Sequence, residues 1–245
     1  MFNFFATENS RQGDCFFIMG SDLNHIKNVL RMHTGDELLV SEDGKSHLCE
    51  IESLSEDTAV VRIKEENYKN TELPVKLYLF QGLPKSDKME LIIQKAVELG
   101  VYAVIPTEMS RCVVKLEEKK KTSKIQRWQA IAESAAKQSK RNIIPEIMNV
   151  MSYGEALQFA KNLDVLLVPY ESKDGMLSTK KALERLSPGK SAGIFIGPEG
   201  GFDEKEIDKA MTAGGEIISL GKRILRTETA AITALSMCML YVEMN

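Results

Sequence analysis

Two glycine-rich turns near the C-terminus constrain the fold of this chain more than any other feature. The first has the sequence Gly-Pro-Glu-Gly-Gly-Phe at residues 197–202, and the second begins at Gly221. Each follows a short apolar run of the kind that forms a buried parallel strand. In an open α/β sheet, turns at the carboxyl ends of such strands border the crevice where ligands bind. We therefore expect both turns to face one small ligand.

The composition of the first turn predicts a link from a strand to a helix. Gly197, Gly200 and Gly201 permit positive φ and a close approach of the backbone to a ligand. Asp203 followed by Glu206 forms the pattern of a capping box, which predicts that a helix starts there. Taken alone, an ordinary glycine-rich turn explains the segment equally well.

The second turn is cationic and leads into the last helix, for which Thr227 is the predicted cap. Its three cations are Lys222, Arg223 and Arg226. Positive side chains beside a helix N-terminus concentrate positive potential, so the turn predicts an anionic or polarisable ligand. The alternative is that these cations are solvated or pair with Glu199 and Glu228.

Several classes of site and of protein do not fit the sequence. It contains neither a P-loop pattern nor the glycine pattern of a dinucleotide site. The four cysteines show no C-x-x-C spacing and the three histidines all fall in the first fifth of the chain, so we expect no metal site. Free thiols without a leader segment indicate the cytoplasm, and no apolar run is long enough to span a membrane.

Length and pattern predict two domains, at residues 1–70 and 71–245. The chain has 245 residues, of which 43% are hydrophobic. Short strand-like runs separated by polar turns suggest a small β-barrel with one helix at 23–32: residues 15–18, 37–40, 47–51 and 59–63. Later runs alternate with helical patterns such as 87–99, which predicts an α/β domain with a mostly parallel sheet: residues 75–80, 101–105, 165–168, 192–196 and 217–220.

Charge is distributed unevenly along the chain. Residues 1–70 contain 7 Lys and Arg against 13 Asp and Glu, whereas residues 111–142 contain 10 against 3. The basic segment suits contacts with nucleic-acid phosphates, although a solvated helix face has the same composition.

The predicted last helix, residues 228–242, is apolar on nearly all sides. Such a helix has to be covered, and a second copy of the chain is one candidate for the covering surface. The alternative is a helix wholly enclosed by its own domain.

The two turns and many earlier segments resemble the RsmE family of 16S ribosomal RNA uridine-N3 methyltransferases. Besides residues 197–202, 220–221 and 223–230, the matching residues are His25, 29–31, 35–36, 83–85, 87–90, 92–95, 98–100, 110–111, 113–115, 127–128, 141–142 and Pro145. The chain departs from the family at Asn3, Ser86 and Lys222, where arginine, glycine and proline are common.

The resemblance implies a PUA-like β-barrel followed by a SPOUT methyltransferase domain with a C-terminal trefoil knot. It also implies a homodimer formed through the last helix and S-adenosyl-L-methionine as cofactor. The implied cofactor contacts are Leu167, Val168, Pro169, Tyr170, Ile196, Gly197, Pro198, Glu199, Gly200, Leu220, Gly221, Ile224, Leu225 and Arg226.

The implied reaction is methylation of a specific uridine of 16S ribosomal RNA, free or in the small subunit. Uridine N3 becomes nucleophilic as its proton leaves, so the site has to stabilise an anion. Arg226, backed by Arg223, suits that role, while Glu199 and Glu228 are candidate bases. The implied RNA contacts are His25, Arg31, Arg111, Lys115, Arg141 and Asn142. Replacing Arg111 or Arg141 is expected to weaken RNA binding and spare cofactor affinity.

Two other classes of protein remain open on the sequence. A non-catalytic RNA-binding protein accounts for the barrel and the basic segment. A small-molecule enzyme that binds phosphate at the glycine turn accounts for the two turns.

Overall fold

The protein is described here by a computed structural model that covers residues 1–170 and 175–245, apart from the side chain of Glu118. It divides into two compact units. The N-terminal unit consists of Met1–Glu72 together with Ala136–Ile144, and the C-terminal unit consists of Leu73–Ala135 together with Pro145–Asn245.

The N-terminal unit is built on one six-stranded sheet. Its strands are β1 (Asn3–Phe5), β2 (Arg11–Gln12), β3 (Cys15–Ile18), β4 (Glu37–Glu42), β5 (Lys45–Leu54) and β6 (Ala59–Glu65). They lie in the order β1-β4-β5-β6-β3-β2, with β1 parallel to β4 and the other neighbours antiparallel. Alternating side chains of these strands point to one face, as the period of a strand requires.

The sheet of the N-terminal unit curls around a single apolar core. Fully buried members include Phe16, Leu38 and Ile51, and Ile26 covers them from a short helical segment. That segment consists of α1 (Gly20–Asn24) and a π-helical turn at His25–Val29, so it starts and ends earlier than residues 23–32. It stops before Arg31, whose φ of 53° lies in the left-handed region.

Residues 136–144 are tied into the N-terminal unit by buried polar contacts. Arg141 is 3% exposed, and its Nε donates to Glu72 Oε1 at 2.9 Å. Asn3, on β1, donates from Nδ2 to the Arg141 carbonyl at 2.9 Å. A buried charge is tolerated when it is paired and hydrogen-bonded, so this ion pair serves the fold of the unit.

The C-terminal unit alternates strands with helices. Its elements are β7 (Lys76–Gly82), α2 (Lys88–Glu98), β8 (Ala103–Glu108), α3 (Glu118–Ser139), β9 (Glu146–Ile147), β10 (Met151–Ser152), α4 (Tyr153–Ala160), β11 (Val165–Pro169), α5 (Met176–Leu183), β12 (Ser191–Ile196), α6 (Glu204–Thr212), β13 (Glu216–Ile218) and α7 (Thr227–Met244). The sheet order within the described residues is β10-β8-β7-β12-β11-β13, with β9 beside β8.

All strand pairs recorded in this second sheet are parallel, which confirms the predicted α/β class. Parallel strands carry apolar side chains on both faces because helices cover both faces. Phe80 of β7 and Phe195 of β12 stack with ring centroids 4.3 Å apart, at the centre of the apolar core. In the described part of the chain, no helix combines the length and apolar character needed to cross a membrane.

Among the residues that the structure describes, helix α7 is buried along one side and partly exposed along the other. Ala231, Leu235 and Cys238 are buried, while Leu240 is 49% exposed and Met244 is 74% exposed. Complete enclosure of this helix by its own domain was one of the two alternatives, and the exposed Leu240 and Met244 argue against it.

Candidate functional site

The two turns predicted from the sequence line neighbouring cavities in the C-terminal unit. The first cavity, of about 710 Å³, is lined by residues 196–202 and by residues 224–227. The second, of about 570 Å³, is lined by residues 219–225. Both share a wall made by Pro169, Tyr170, Ile224, Leu225 and Ala230.

The first turn has the predicted local structure. Strand β12 ends at Ile196, and Gly201 adopts a φ of 68° before Asp203 caps α6. The Asp203 and Glu206 side chains form the capping box expected from their spacing. The turn is therefore held at both ends, by a buried strand and by a capped helix.

The second turn differs from the prediction at its end. Gly221, with a φ of 108°, follows β13, and α7 begins at Thr227 with Arg226 in the N-cap position. The prediction that Thr227 caps α7 is wrong, because its hydroxyl donates to the Gly197 carbonyl at 2.6 Å instead. This bond joins the second turn to the first.

Among the described residues, four charged side chains line the first cavity: Lys88, Arg111, Glu199 and Arg226. Glu199 Oε1 accepts from the Lys85 N–H at 3.0 Å and from Lys88 Nζ at 2.9 Å. Lys88 Nζ also lies 3.5 Å from Glu228 Oε2. Lys88 was not predicted as a site residue, since no local pattern links it to a glutamate 111 residues away.

The contacts of Glu199 determine its protonation. Partial burial acts to raise its pKa, but the hydrogen bonds from Lys88 and the backbone outweigh it, so the pKa of Glu199 lies below its ordinary value of 4.5. A carboxylate with a lowered pKa is a weaker proton acceptor than an ordinary one. Glu199 is thus better suited to holding Lys88 and the glycine turn than to acting as a base.

Replacing Lys88 by methionine is expected to shift the acid sensitivity of this site. Because the pKa of Glu199 is lowered in the folded protein, its stabilising contribution is complete above pH 4.5 and is lost as pH falls through that lower pKa. Without Lys88, a main cause of the lowered pKa of Glu199 is gone, so that pKa rises and the variant loses less stability than the parent as pH falls. Thermal midpoints between about pH 3 and about pH 7 measure this. Identical acid profiles for the variant and the parent would contradict it.

Arg111 belongs to the wall of the first cavity. Its Nη1 donates to the Gly200 carbonyl at 3.1 Å, and a Cβ added at Gly200 would lie 3.0 Å from Arg111 Cβ. Its side chain is 49% exposed, so a ligand can still reach it. Because Arg111 contacts the glycine turn, we now expect its replacement to disturb that turn as well as any RNA contact.

Glu206 orients the segment that carries Arg111. Its carboxylate is 4% exposed and accepts from the Ser110 N–H at 2.7 Å and from the Asp203 N–H at 2.9 Å. A buried carboxylate satisfied by backbone donors holds the Ser110 segment beside α6.

Replacing Glu206 by alanine is expected to lower the free energy of unfolding by about 2 kcal/mol, because two backbone N–H groups lose the buried carboxylate that accepts their part-buried hydrogen bonds. The control is Glu204→Ala in the same helical turn, where the side chain is exposed and a change of less than about 0.5 kcal/mol is expected. Denaturant unfolding measures both. Equal losses in the two variants would show that the buried contacts contribute nothing specific.

The structure separates the predicted cofactor contacts into two groups. Leu167 and Val168 are 0% exposed in β11 and lie behind the cavity wall. The others line one or both cavities: Pro169, Tyr170, Ile196, Gly197, Pro198, Glu199, Gly200, Leu220, Gly221, Ile224, Leu225 and Arg226. Arg223, predicted as a catalytic residue, lines the second cavity and is exposed.

The predicted RNA contacts also differ in accessibility. Arg31 and Lys115 are exposed and His25 is half-buried, with its ring edge-on to Phe4. Arg141 and Asn142 are each 3% exposed, and the Asn142 amide donates to the Lys69 carbonyl at 3.0 Å. We therefore leave Arg141 and Asn142 out of any RNA-binding surface, because their polar groups are buried in contacts within the N-terminal unit.

Residues 1–170 and 175–245 contain no cluster of potential metal ligands. No three His, Cys, Asp or Glu side chains in these ranges group closely enough to hold a metal ion. The chemistry available at the two cavities is that of backbone groups, cations and carboxylates.

The chain is similar in sequence and in structure to known proteins. The chain matches the RNA methyltransferase domain family over residues 71–239 and the RNA methyltransferase PUA domain family over residues 18–64. Ribosomal RNA small subunit methyltransferase E of Bacillus subtilis (strain 168) is 45% identical over 225 residues, covering 90% of this chain and 88% of the relative. The protein of the same name from Mesomycoplasma hyopneumoniae (strain 232) is 35% identical over 238 residues, covering 97% and 99%.

A solved structure extends the similarity to three dimensions. The crystal structure of ribosomal RNA small subunit methyltransferase E from Neisseria gonorrhoeae, bound to S-adenosyl methionine, superposes with a TM-score of 0.83 at 31% identity, covering 98% of this chain and 97% of that one. These matches confirm the resemblance seen in the sequence motifs. The chain belongs to the ribosomal RNA small subunit methyltransferase E family.

Proposed function

We propose that the protein transfers a methyl group from S-adenosylmethionine to N3 of a uridine in the 16S RNA of the small ribosomal subunit. The observation that carries the proposal is the meeting of two backbone-rich turns around adjoining cavities, in a chain whose solved relative from Neisseria gonorrhoeae binds S-adenosyl methionine. The substrate places the reaction in the cytoplasm.

The second cavity suits the cofactor. Residues 219–225 line it together with Tyr170 and Met176, and the segment includes three apolar residues: Leu220, Ile224 and Leu225. Ile224 is fully exposed in the free chain, so a ligand in the cavity would cover an apolar side chain that is otherwise in water. When bound, S-adenosylmethionine supplies an electrophilic methyl group on a sulfonium. The wall shared by both cavities, which includes Leu225, is where the methyl donor and the acceptor have to meet.

The first cavity suits the target base. Uridine N3 attacks only as its proton leaves, and the negative charge then spreads to O2 and O4. Arg226 lines this cavity at the N-cap of α7, so its guanidinium and the positive end of the helix act on the same region. Fixed donors directed at developing charge stabilise a transition state by several kcal/mol in a water-poor site. Arg223 reinforces that potential from the second cavity.

The proposed RNA contacts are the accessible cations. Arg111 and Lys115 belong to the C-terminal unit, and Arg31 with the neighbouring His25 belongs to the N-terminal unit. Phosphate contacts of this kind supply affinity without reading sequence. Because N3 lies on the pairing edge of the base, a paired target has to be unpaired or flipped before it enters the first cavity.

We further propose that the active form is a homodimer formed through α7. Leu240 and Met244 of α7 are exposed, and so is Leu91 of helix α2, which contacts α7; a second copy would cover these apolar side chains. Sedimentation velocity tests this, and a monomer at micromolar concentration would contradict it.

The test of the reaction combines purified protein, methyl-labelled S-adenosylmethionine and small subunits that lack the modification. The expected product is a single labelled nucleotide that mass mapping identifies as N3-methyluridine in 16S RNA. Transfer to a carbon atom or to protein would overturn the proposal. Absence of cofactor binding in calorimetry would favour a non-catalytic RNA-binding protein. Absence of binding to small-subunit RNA would favour a small-molecule enzyme.

A further inference from the structure

A buried polar chain links the central sheet to both turns. Gln81, the penultimate residue of β7, is 0% exposed, and its Nε2 donates to Thr227 Oγ1 at 2.9 Å. Thr227 is 4% exposed and donates in turn to the Gly197 carbonyl at 2.6 Å. Three segments far apart in the sequence are thereby joined by two hydrogen bonds.

The kinds of donor and acceptor present determine the direction of each hydrogen bond between Gln81, Thr227 and Gly197. The Gly197 carbonyl only accepts, so the Thr227 hydroxyl has to donate to it and has a lone pair left for an N–H donor. The second N–H of the Gln81 amide is directed at the Gly82 carbonyl at 2.9 Å, which sets the orientation of the amide. The arrangement has one consistent pattern of donors and acceptors, so it defines one geometry.

Stability does not explain why an amide occupies this position. Within the described part of the chain, Gln81 Oε1 is buried without a hydrogen-bond partner. An unpaired buried acceptor is unfavourable, and an apolar side chain of similar length would avoid it. We therefore explain Gln81 by its two N–H donors, which bind the Gly82 carbonyl and the Thr227 hydroxyl.

The Gln81 amide holds Thr227, the residue that follows Arg226. Thr227 directly follows Arg226, which is the N-cap of α7 and lines the first cavity. Gly197 begins the turn on the opposite wall of the same cavity. The hydroxyl of Thr227 thus sets the distance between the start of α7 and the glycine turn.

We propose that Gln81 and Thr227 are positioning residues that align Arg226 with the glycine turn for methyl transfer. This inference rests on the proposed function. Gln81 does not line either cavity, and the Thr227 hydroxyl is already engaged by Gln81 and the Gly197 carbonyl, so both side chains act through Arg226 and Gly197. A displacement of about 1 Å of a group that stabilises a transition state lowers a rate by about 100-fold, whereas ligand contacts spread over two turns tolerate it better.

The test compares Thr227→Val, which keeps the shape but lacks the hydroxyl, with Thr227→Ser, which restores it. The matched control is Thr229→Val, an exposed threonine in the same helical turn. We expect Thr227→Val to lower kcat for methyl transfer by about 10-fold to 100-fold while the Kd of S-adenosylmethionine changes by less than about threefold. Thr227→Ser should recover most of the rate, and Thr229→Val should match the parent.

A second variant separates positioning from a merely structural role. Gln81→Met removes the donors without leaving an orphan oxygen, so we expect it to reproduce the kcat defect while resisting denaturant as well as the parent does. Parent-like kcat in Thr227→Val, or rate losses in both variants that follow only the unfolded fraction, would overturn the inference. Parent protein that neither binds S-adenosylmethionine nor methylates RNA would instead overturn the proposed function, and this inference with it.

Discussion

Replacing Arg226 by methionine is expected to lower the rate of methyl transfer by about 100-fold to 1,000-fold while cofactor affinity stays within a few-fold of the parent. Arg226 is the cation placed at the N-cap of α7 and exposed in the first cavity. Its charge is used most when negative charge develops on the uracil oxygens, so its loss should act on kcat more than on binding. Single-turnover transfer and calorimetry with S-adenosylmethionine measure the two effects separately.

Two further variants sharpen the Arg226 experiment. Arg226→Lys keeps the charge but loses the planar set of donors, so an intermediate rate is expected. Lys209→Met removes an exposed cation from α6, outside both cavities, and should leave the rate unchanged. A loss of cofactor affinity as large as the loss of rate in Arg226→Met would show that Arg226 binds the cofactor instead of stabilising the transition state.

Replacing Gly82 by alanine is expected to displace the glycine turn from the sheet. A Cβ at Gly82 would lie 2.7 Å from both Pro198 Cδ and the Pro198 backbone nitrogen, and 3.0 Å from Met109 Sδ. The backbone and the proline ring cannot move aside like a flexible side chain, so the turn itself has to shift. Because residues 196–200 of this turn are among the expected cofactor contacts, we expect cofactor affinity to fall at least about tenfold. The free energy of unfolding should fall by about 1–3 kcal/mol.

The control for Gly82 is another glycine with open space around it. A Cβ at Gly154, in α4, meets nothing within 4 Å. Gly154→Ala should therefore leave cofactor affinity unchanged and raise stability by up to about 1 kcal/mol, because alanine is favoured in a helix. If Gly82→Ala bound S-adenosylmethionine as tightly as Gly154→Ala, close contact between β7 and the glycine turn would not be needed for the site.

Local patterns in the sequence were sufficient for most of the fold. Helix α2 and the capping box at Asp203 were predicted correctly because they depend on residues within a few positions of one another. The parallel sheet followed from apolar runs alternating with helical patterns, and the family motifs identified the two turns that line the cavities.

Pairings between distant residues were not predictable in the same way. Charge alone made Arg141 look like an RNA contact, whereas the fold buries it against Glu72. The capping preference of threonine made Thr227 look like a cap, whereas its hydroxyl reaches the Gly197 carbonyl, 30 residues away. A local pattern carries no information about which distant group comes within hydrogen-bonding distance.

The sequence by itself determined the order of the elements, the α/β class and the two turns, because backbone preferences and hydrophobic periodicity act over short distances. Tertiary structure alone decided which polar groups meet: Lys88 with Glu199, Arg111 with Gly200, and Gln81 with Thr227. Those contacts form only when the parallel strands bring residues 89 to 146 positions apart to one edge of the sheet.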